Sequence, residues 1–136
     1  MGERYDLAIQ KLRAIQEQNL LGGGREHIER QHQRGKLTAR ERIQHLLDPG
    51  TFQELGSCVN TTGERIDGRR MDAPCDGAVV GTGRVEGRRI AVYASDFTVL
   101  GGSIATQHGL KFVKLMEMAA RWRIPMVWLL DSSGGR

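Results

Sequence analysis

Aromatic side chains make up only 5% of the chain, and no arginine run is interleaved with tyrosine or phenylalanine. Single-stranded nucleic acid would find no stacking platform, so no nucleic-acid partner is expected. Cysteine is as scarce. Cys58 and Cys75 stand without a CxxC pair or any Cys/His ligand spacing. That excludes a disulfide framework and a zinc site, and leaves free thiols. No apolar run approaches the roughly eighteen residues that a membrane-spanning helix needs, so no membrane insertion is expected. The first residues carry no charged-then-apolar leader, so a cytoplasmic location is expected. No carboxylate pair or metal-ligating cluster stands out, so no metal is expected. His27 and His32 come nearest, but they lie five apart. Five residues turn a helix about 140° past its start, whereas zinc helices use a spacing of four. Both histidines are expected in solvent.

Glycine is abundant instead, at 18 of 136 residues. It follows no fibrous period, so it marks turns and close backbone approaches. A net charge of +4 suits a polyanionic partner, including a small phosphorylated one. Hydrophobic residues, at 39%, suffice for the core of one ordinary domain.

Tyr5, Ala8, Ile9, Leu12 and Ile15 recur at threes and fours. They predict an amphipathic helix over about 4–20, ended by Gly22-Gly23-Gly24. A polar helix over about 25–34 follows, closed by Gly35. Thr38 and Glu41 form a capping box that opens a helix over about 39–47. Asp48-Pro49-Gly50 stops it. A strand is expected over 52–59 and a flexible loop over 60–75. Residues 76–96 read as a hairpin turning at Glu86-Gly87-Arg88. Gly81, Gly83 and Gly87 do not make a dinucleotide fingerprint, because a strand follows where a helix should start. Bulges and tight twist are the expected reason for them. Gly101-Gly102-Ser103 opens a helix over about 103–123, with Phe112, Leu115, Met116, Ala119, Ala120 and Trp122 as a broad buried face. Pro125 follows it, and Met126 to Leu130 form a buried strand, expected to be parallel. The strand, helix and strand make one right-handed crossover.

Few residues suit chemistry. The best stretch is Asp131-Ser132-Ser133-Gly134-Gly135, at the carboxyl end of the last strand, where open α/β folds bind ligands. Its N–H groups could serve as an oxyanion hole, and a plain strand-ending turn fits the same residues. Ser132 or Ser133 as a nucleophile lacks the G-x-S-x-G elbow, with His108 as the only nearby base in sequence. Gly101-Gly102-Ser103 could hold a phosphate at a helix start, or Ser103 could simply cap the helix. Arg30, Arg34, Lys36, Arg40 and Arg42 form a basic cluster that either faces phosphates or lies solvated on a helix face.

The order of LLGGG, RGKLTARERI (Arg34 to Ile43), LLDPGTF (Leu46 to Phe52), DFTVLGGS (Asp96 to Ser103) and LDSSGGR (Leu130 to Arg136) resembles the biotin-dependent acyl-CoA carboxyltransferases. It is most similar to the propionyl-CoA carboxylase β-subunit type. The resemblance spans about residues 20 to 136. It implies an α/β chain with a crotonase-like β-spiral: a helical segment over 1–50, then an incomplete N-terminal crotonase-like half over 51–136. It implies carboxyl transfer from carboxybiotin, on a separate carrier domain, to the α-carbon of a short-chain acyl-CoA. In that chemistry biotin itself is thought to take the α-proton, which accounts for the missing acid–base pair. The implied partners are acyl-CoA, a biotin carboxylase and biotin carrier subunit, and further copies of the full-length chain. Gly134 and Gly135 are the catalytic donors that the resemblance implies; Gly101, Gly102 and Ser103 are the candidate cofactor-binding residues from the local reading of the sequence. The turn departs from the family pattern at Ser133, where glycine is usual, and at Gly135, where alanine is usual. Two other readings remain: a subunit of an acyl-CoA decarboxylase, or a non-catalytic assembly fragment. The family is longer and has two halves, so these 136 residues alone are expected to be inactive.

Overall fold

A computed structural model describes residues 2–66 and 69–136. Three helices come first: α1 (Gly2–Leu20), α2 (Arg25–Gln33) and α3 (Ala39–Leu46). The capping box at α3 is present in both directions. Thr38 N–H donates to Glu41 Oε2 at 2.7 Å, and Glu41 N–H donates to Thr38 Oγ1 at 3.3 Å. Strand β1 is Gln53–Leu55, shorter than the expected 52–59. The expected loop over 60–75 is corrected: β2 (Thr61–Ile66) and β3 (Arg69–Ala73) pair antiparallel, and a 3-10 turn follows over Pro74–Gly77. Asp67 and Gly68 lie outside the described residues.

Strands β4 (Ala78–Val85) and β5 (Arg88–Ser95) form the hairpin read from the sequence. Its loop has two residues, Glu86 at φ 49° and Gly87 at φ 77°. Positive φ at both positions is the tight-turn geometry that matches strand twist. The Asp48 carboxylate accepts from both turn amides, Glu86 at 2.9 Å and Gly87 at 2.8 Å. The helix α4 (Thr106–Trp122) then leads to β6 (Met126–Leu129), which pairs parallel to β5. The four-stranded sheet has the order β1-β4-β5-β6.

Alternation along β4 and β5 divides the core between two faces. Val79, Ile90, Val92 and Ala94 pack with Ala39, Ile43 and Leu47 from the α3 side. Ala78, Val80, Ala91 and Tyr93 pack with Leu115 and Ala119 of α4. The helical N-terminal segment therefore shares a core with the sheet. No bulge explains Gly81 and Gly83, because β4 and β5 pair in unbroken register. A Cβ at Gly81 would overlap the Gln53 carbonyl, and one at Gly83 would overlap Leu47. Close approach of β1 and α3 is the reason for these two glycines.

Three apolar stretches are more open than their patterns suggest; in β6, expected to be a buried strand, no residue is fully buried and Trp128 is 50% exposed. On α4 only Leu115 and Ala119 of the expected face are fully buried; Phe112 is partly buried, and Met116 and Trp122 lie open. The α1 stripe of Tyr5, Ile9, Leu12 and Ile15 is exposed. Helical spacing reports a stripe that can be buried; within this chain too little packs against either helix to bury it.

Candidate active site

Two stretches picked out separately in the sequence, 101–103 and 131–135, lie side by side, joined through their neighbours Ile104 and Arg136. Ser133 N–H donates to Gly101 O at 2.9 Å, Ile104 N–H to Gly134 O at 2.8 Å, and Arg136 N–H to Ile104 O at 2.9 Å. Ile104 and Gly135 form a parallel bridge. Gly102 has φ 63°, and a Cβ there would overlap the Asp131 carbonyl oxygen. Glycine is required at 102 by both its dihedral and its contact.

The placement of Gly101-Gly102-Ser103 at a helix start is corrected. Helix α4 begins at Thr106, and its N-cap is Ala105. Ser103 Oγ donates to Leu100 O at 2.7 Å instead of capping. Gly102 N–H donates to Val99 O at 2.9 Å and Ser103 N–H to Leu100 O at 3.3 Å. These amides close a turn of their own.

The Gly134-Gly135 bend is exposed. Its two amides differ. Gly134 N–H donates to Ser132 Oγ at 3.1 Å. Gly135 N–H has no acceptor among the described residues, since the bridge to Ile104 uses the amides of residues 104 and 136. One donor is open and the second is held by a flexible, solvent-facing hydroxyl.

Side chains from distant segments fix this bend, and of Gln31, Lys36, Asp76 and Ser95 the sequence patterns flagged only Lys36, as part of a basic cluster. Asp131 N–H donates to Ser95 Oγ at 2.6 Å. The Asp131 carboxylate accepts from Lys36 Nζ at 3.0 Å and Gln31 Nε2 at 2.9 Å. Burial opposes its ionisation, but these two donors outweigh burial and hold its pKa below the ordinary aspartate value. At the other end the Arg136 guanidinium reaches Ser103 Oγ at 3.0 Å, the Ser103 carbonyl and the Asp76 carboxylate. The Asp76 side chain is fully buried, and Asp76 has φ 51°.

His108 is part of that buried support. Its backbone N–H donates to Asp76 Oδ2 at 2.6 Å, and its Nδ1 donates to Asp76 O at 3.0 Å. Nε2 therefore accepts from the Tyr93 hydroxyl, at 2.5 Å. Both ring nitrogens are engaged away from Ser132 and Ser133, which removes the base that a serine nucleophile would need. Burial pushes the His108 pKa below the ordinary histidine value, against the raising effect of Asp76. The unfolded chain then binds a proton that folded His108 excludes. Its contribution to stability is complete above the ordinary histidine pKa and is lost as pH falls towards the depressed folded value. Unfolding free energy is expected to decline over that acidic window, and His108→Gln is expected to flatten the decline in urea titrations.

The basic cluster divides. Arg40 pairs with Glu54 at 2.7 Å, Lys36 binds Asp131, and Arg42 donates to Ser95 O at 2.7 Å. All three are engaged within the protein. Arg30, paired with Glu26 at 2.5 Å, and Arg34 border a hollow of about 170 Å³ that also touches His27, Phe97 and Gly101. His32 is not simply solvated, since its Nε2 lies 2.9 Å from Glu41 Oε2. An apolar hollow of about 260 Å³ adjoins the bend at Ile104 and Leu130, with Phe112 and Trp128 on its wall. A larger cavity, about 310 Å³ between Leu55, Val59 and α4, shares no lining residue with the bend. Among the described residues no group of three or more His, Cys, Asp or Glu could hold a metal ion. No described helix is long and apolar enough to cross a membrane.

The carboxyl transferase domain model matches residues 30–136. The chain belongs to the carboxyl transferase family. Within that family it is 46% identical over 121 residues to the mitochondrial propionyl-CoA carboxylase β chain of Homo sapiens, covering 86% of this chain and 22% of that one. It is 41% identical over 128 residues to the methylmalonyl-CoA decarboxylase α subunit of Propionigenium modestum, covering 94% of this chain and 25% of that one. Its backbone superposes on the transcarboxylase 12S crystal structure with a TM-score of 0.89 at 35% identity, covering 96% of this chain and 26% of that one. That structure has methylmalonyl-coenzyme A bound and is described as a hexamer. The fold of this carboxyl transferase chain is accordingly crotonase-like, with a partial sheet. The chain spans about a quarter of the length of these relatives.

Proposed function

We propose that this chain forms part of a cytoplasmic, biotin-dependent carboxyltransferase acting on a short-chain acyl-CoA, and that the 131–136 bend binds the thioester oxygen. The open Gly135 N–H at the exposed end of the sheet carries this reading. When the α-carbon loses its proton, negative charge moves onto the thioester oxygen. A fixed amide donor aimed at that oxygen lowers the barrier, because the bond strengthens as the charge develops. Gly134 N–H becomes a second donor when Ser132 Oγ rotates away. The apolar hollow at Ile104, Phe112 and Trp128 suits the acyl and pantetheine portions. The hollow at Arg30, Arg34 and His27 suits the phosphates. Carboxybiotin, when bound, supplies the carboxyl group. One open donor bend suits one oxyanion, so no residue of this chain is assigned to the biotin ring.

The decarboxylase relative supports a second reading, in which the same bend stabilises the same enolate as a carboxyl group leaves. The intact protein containing this chain, mixed with methylmalonyl-CoA and biotin, is expected to release propionyl-CoA and form carboxybiotin. The 136-residue chain alone is expected to do neither, because it spans only about a quarter of the relatives' length. An intact protein that releases no propionyl-CoA, or an isolated chain that matches it, contradicts the proposal. The direction favoured with ATP, bicarbonate and the biotin carboxylase subunit separates carboxylase from decarboxylase.

A further inference from the structure

Asp131 begins the bend, and its carboxylate receives two donors from one place on the N-terminal helices. Lys36 Nζ bonds Oδ1 and Gln31 Nε2 bonds Oδ2, at 3.0 Å and 2.9 Å. Their backbones are joined as well, since Lys36 N–H donates to Gln31 O at 3.1 Å. Gln31 is buried at 3% exposure, so its amide has little room to turn away from Asp131. Lys36 Nζ also lies 5.3 Å from the Phe97 ring centroid, which restricts its stem. Two acceptor oxygens held by two differently placed donors set the carboxylate plane, not merely its charge. The Asp131 carbonyl in turn abuts Gly102, so rotation of residue 131 would move both Gly-rich stretches.

We infer that Lys36 and Gln31 are positioning residues for carboxyl transfer, acting through Asp131 on the aim of the Gly135 N–H; this rests on the functional reading above. The Lys36–Asp131 ion pair contributes little to folding. The Lys36 side chain is 52% exposed, and ion pairs this open contribute about 0–1 kcal/mol. Its effect lies in geometry, where a displacement of about 1 Å can cost 100-fold in rate.

Lys36→Met in the intact protein is expected to lower kcat about 10- to 100-fold, with KM for acyl-CoA changed less than about twofold. Lys36→Arg, which keeps a donor at Asp131, is expected to recover most of that loss. Asp131→Asn is expected to match Lys36→Met, and the double variant to be no worse than either single one. Thermal midpoints of all four are expected to stay near wild type. A raised KM with unchanged kcat would mean that Lys36 binds the CoA phosphates directly, and would overturn the inference. Additive losses in the double variant would overturn it as well. A wild-type intact protein without transfer activity removes the functional reading and this inference together; an active wild type with independent losses removes the inference alone.

Discussion

Gly135→Pro in the intact protein is expected to lower kcat for carboxyl transfer by about 10²- to 10³-fold, the usual cost of deleting one oxyanion donor. Proline removes the N–H and fixes φ at residue 135, while the bridge to Ile104 is kept because it runs through the amides of 104 and 136. The thermal midpoint is therefore expected to hold while turnover falls. Gly135→Ala is the control. It keeps the N–H, and its Cβ would lie 3.9 Å from the Ile104 oxygen, an ordinary contact. Turnover of the alanine variant within about threefold of wild type, beside a hundredfold loss with proline, rules out the added Cβ and assigns the loss to the backbone nitrogen. Equal losses in both variants would mean that the bend senses shape and not hydrogen bonding.

Arg136→Met is expected to be the most destabilising single change at the site. It strands the Asp76 carboxylate, whose side chain is 0% exposed, without its cation. Orphaning one member of a buried ion pair costs about 3–5 kcal/mol. The Asp76 carboxylate also accepts the His108 backbone N–H, so the loss reaches the start of α4. Asp76→Asn with Arg136→Met removes both charges and leaves an amide that can still accept from His108. The double variant is expected to regain most of the stability in urea unfolding. A single Arg136→Met variant as stable as wild type would contradict the buried-pair account.

Much of the frame was legible because local rules sufficed. The Thr38–Glu41 box lies within one helical turn, and the β4–β5 hairpin needs only two alternating strands around Glu86-Gly87. Strands β2 and β3 were not legible. Residues 60–75 are polar and show no apolar alternation, and two strands that pair with each other need only backbone groups to make the ladder. The start of α4 was misplaced because Ser103 has the chemistry of a cap, yet its hydroxyl closes the 100–103 turn. At the site, the bend itself was legible as a Gly-Gly step after an apolar run. Its supports were not. Gln31 and Asp131 are 100 residues apart, and Asp76 and Arg136 are 60 apart. No periodicity connects such pairs. The sheet that brings them together has to exist first.

The most direct measurement is the structure of the intact protein with an acyl-CoA bound, read at one distance. The account predicts the thioester oxygen about 2.7–3.1 Å from Gly135 N, the range of an oxyanion donor. A thioester oxygen held by other groups, with Gly135 N–H bonded within the protein, would contradict it.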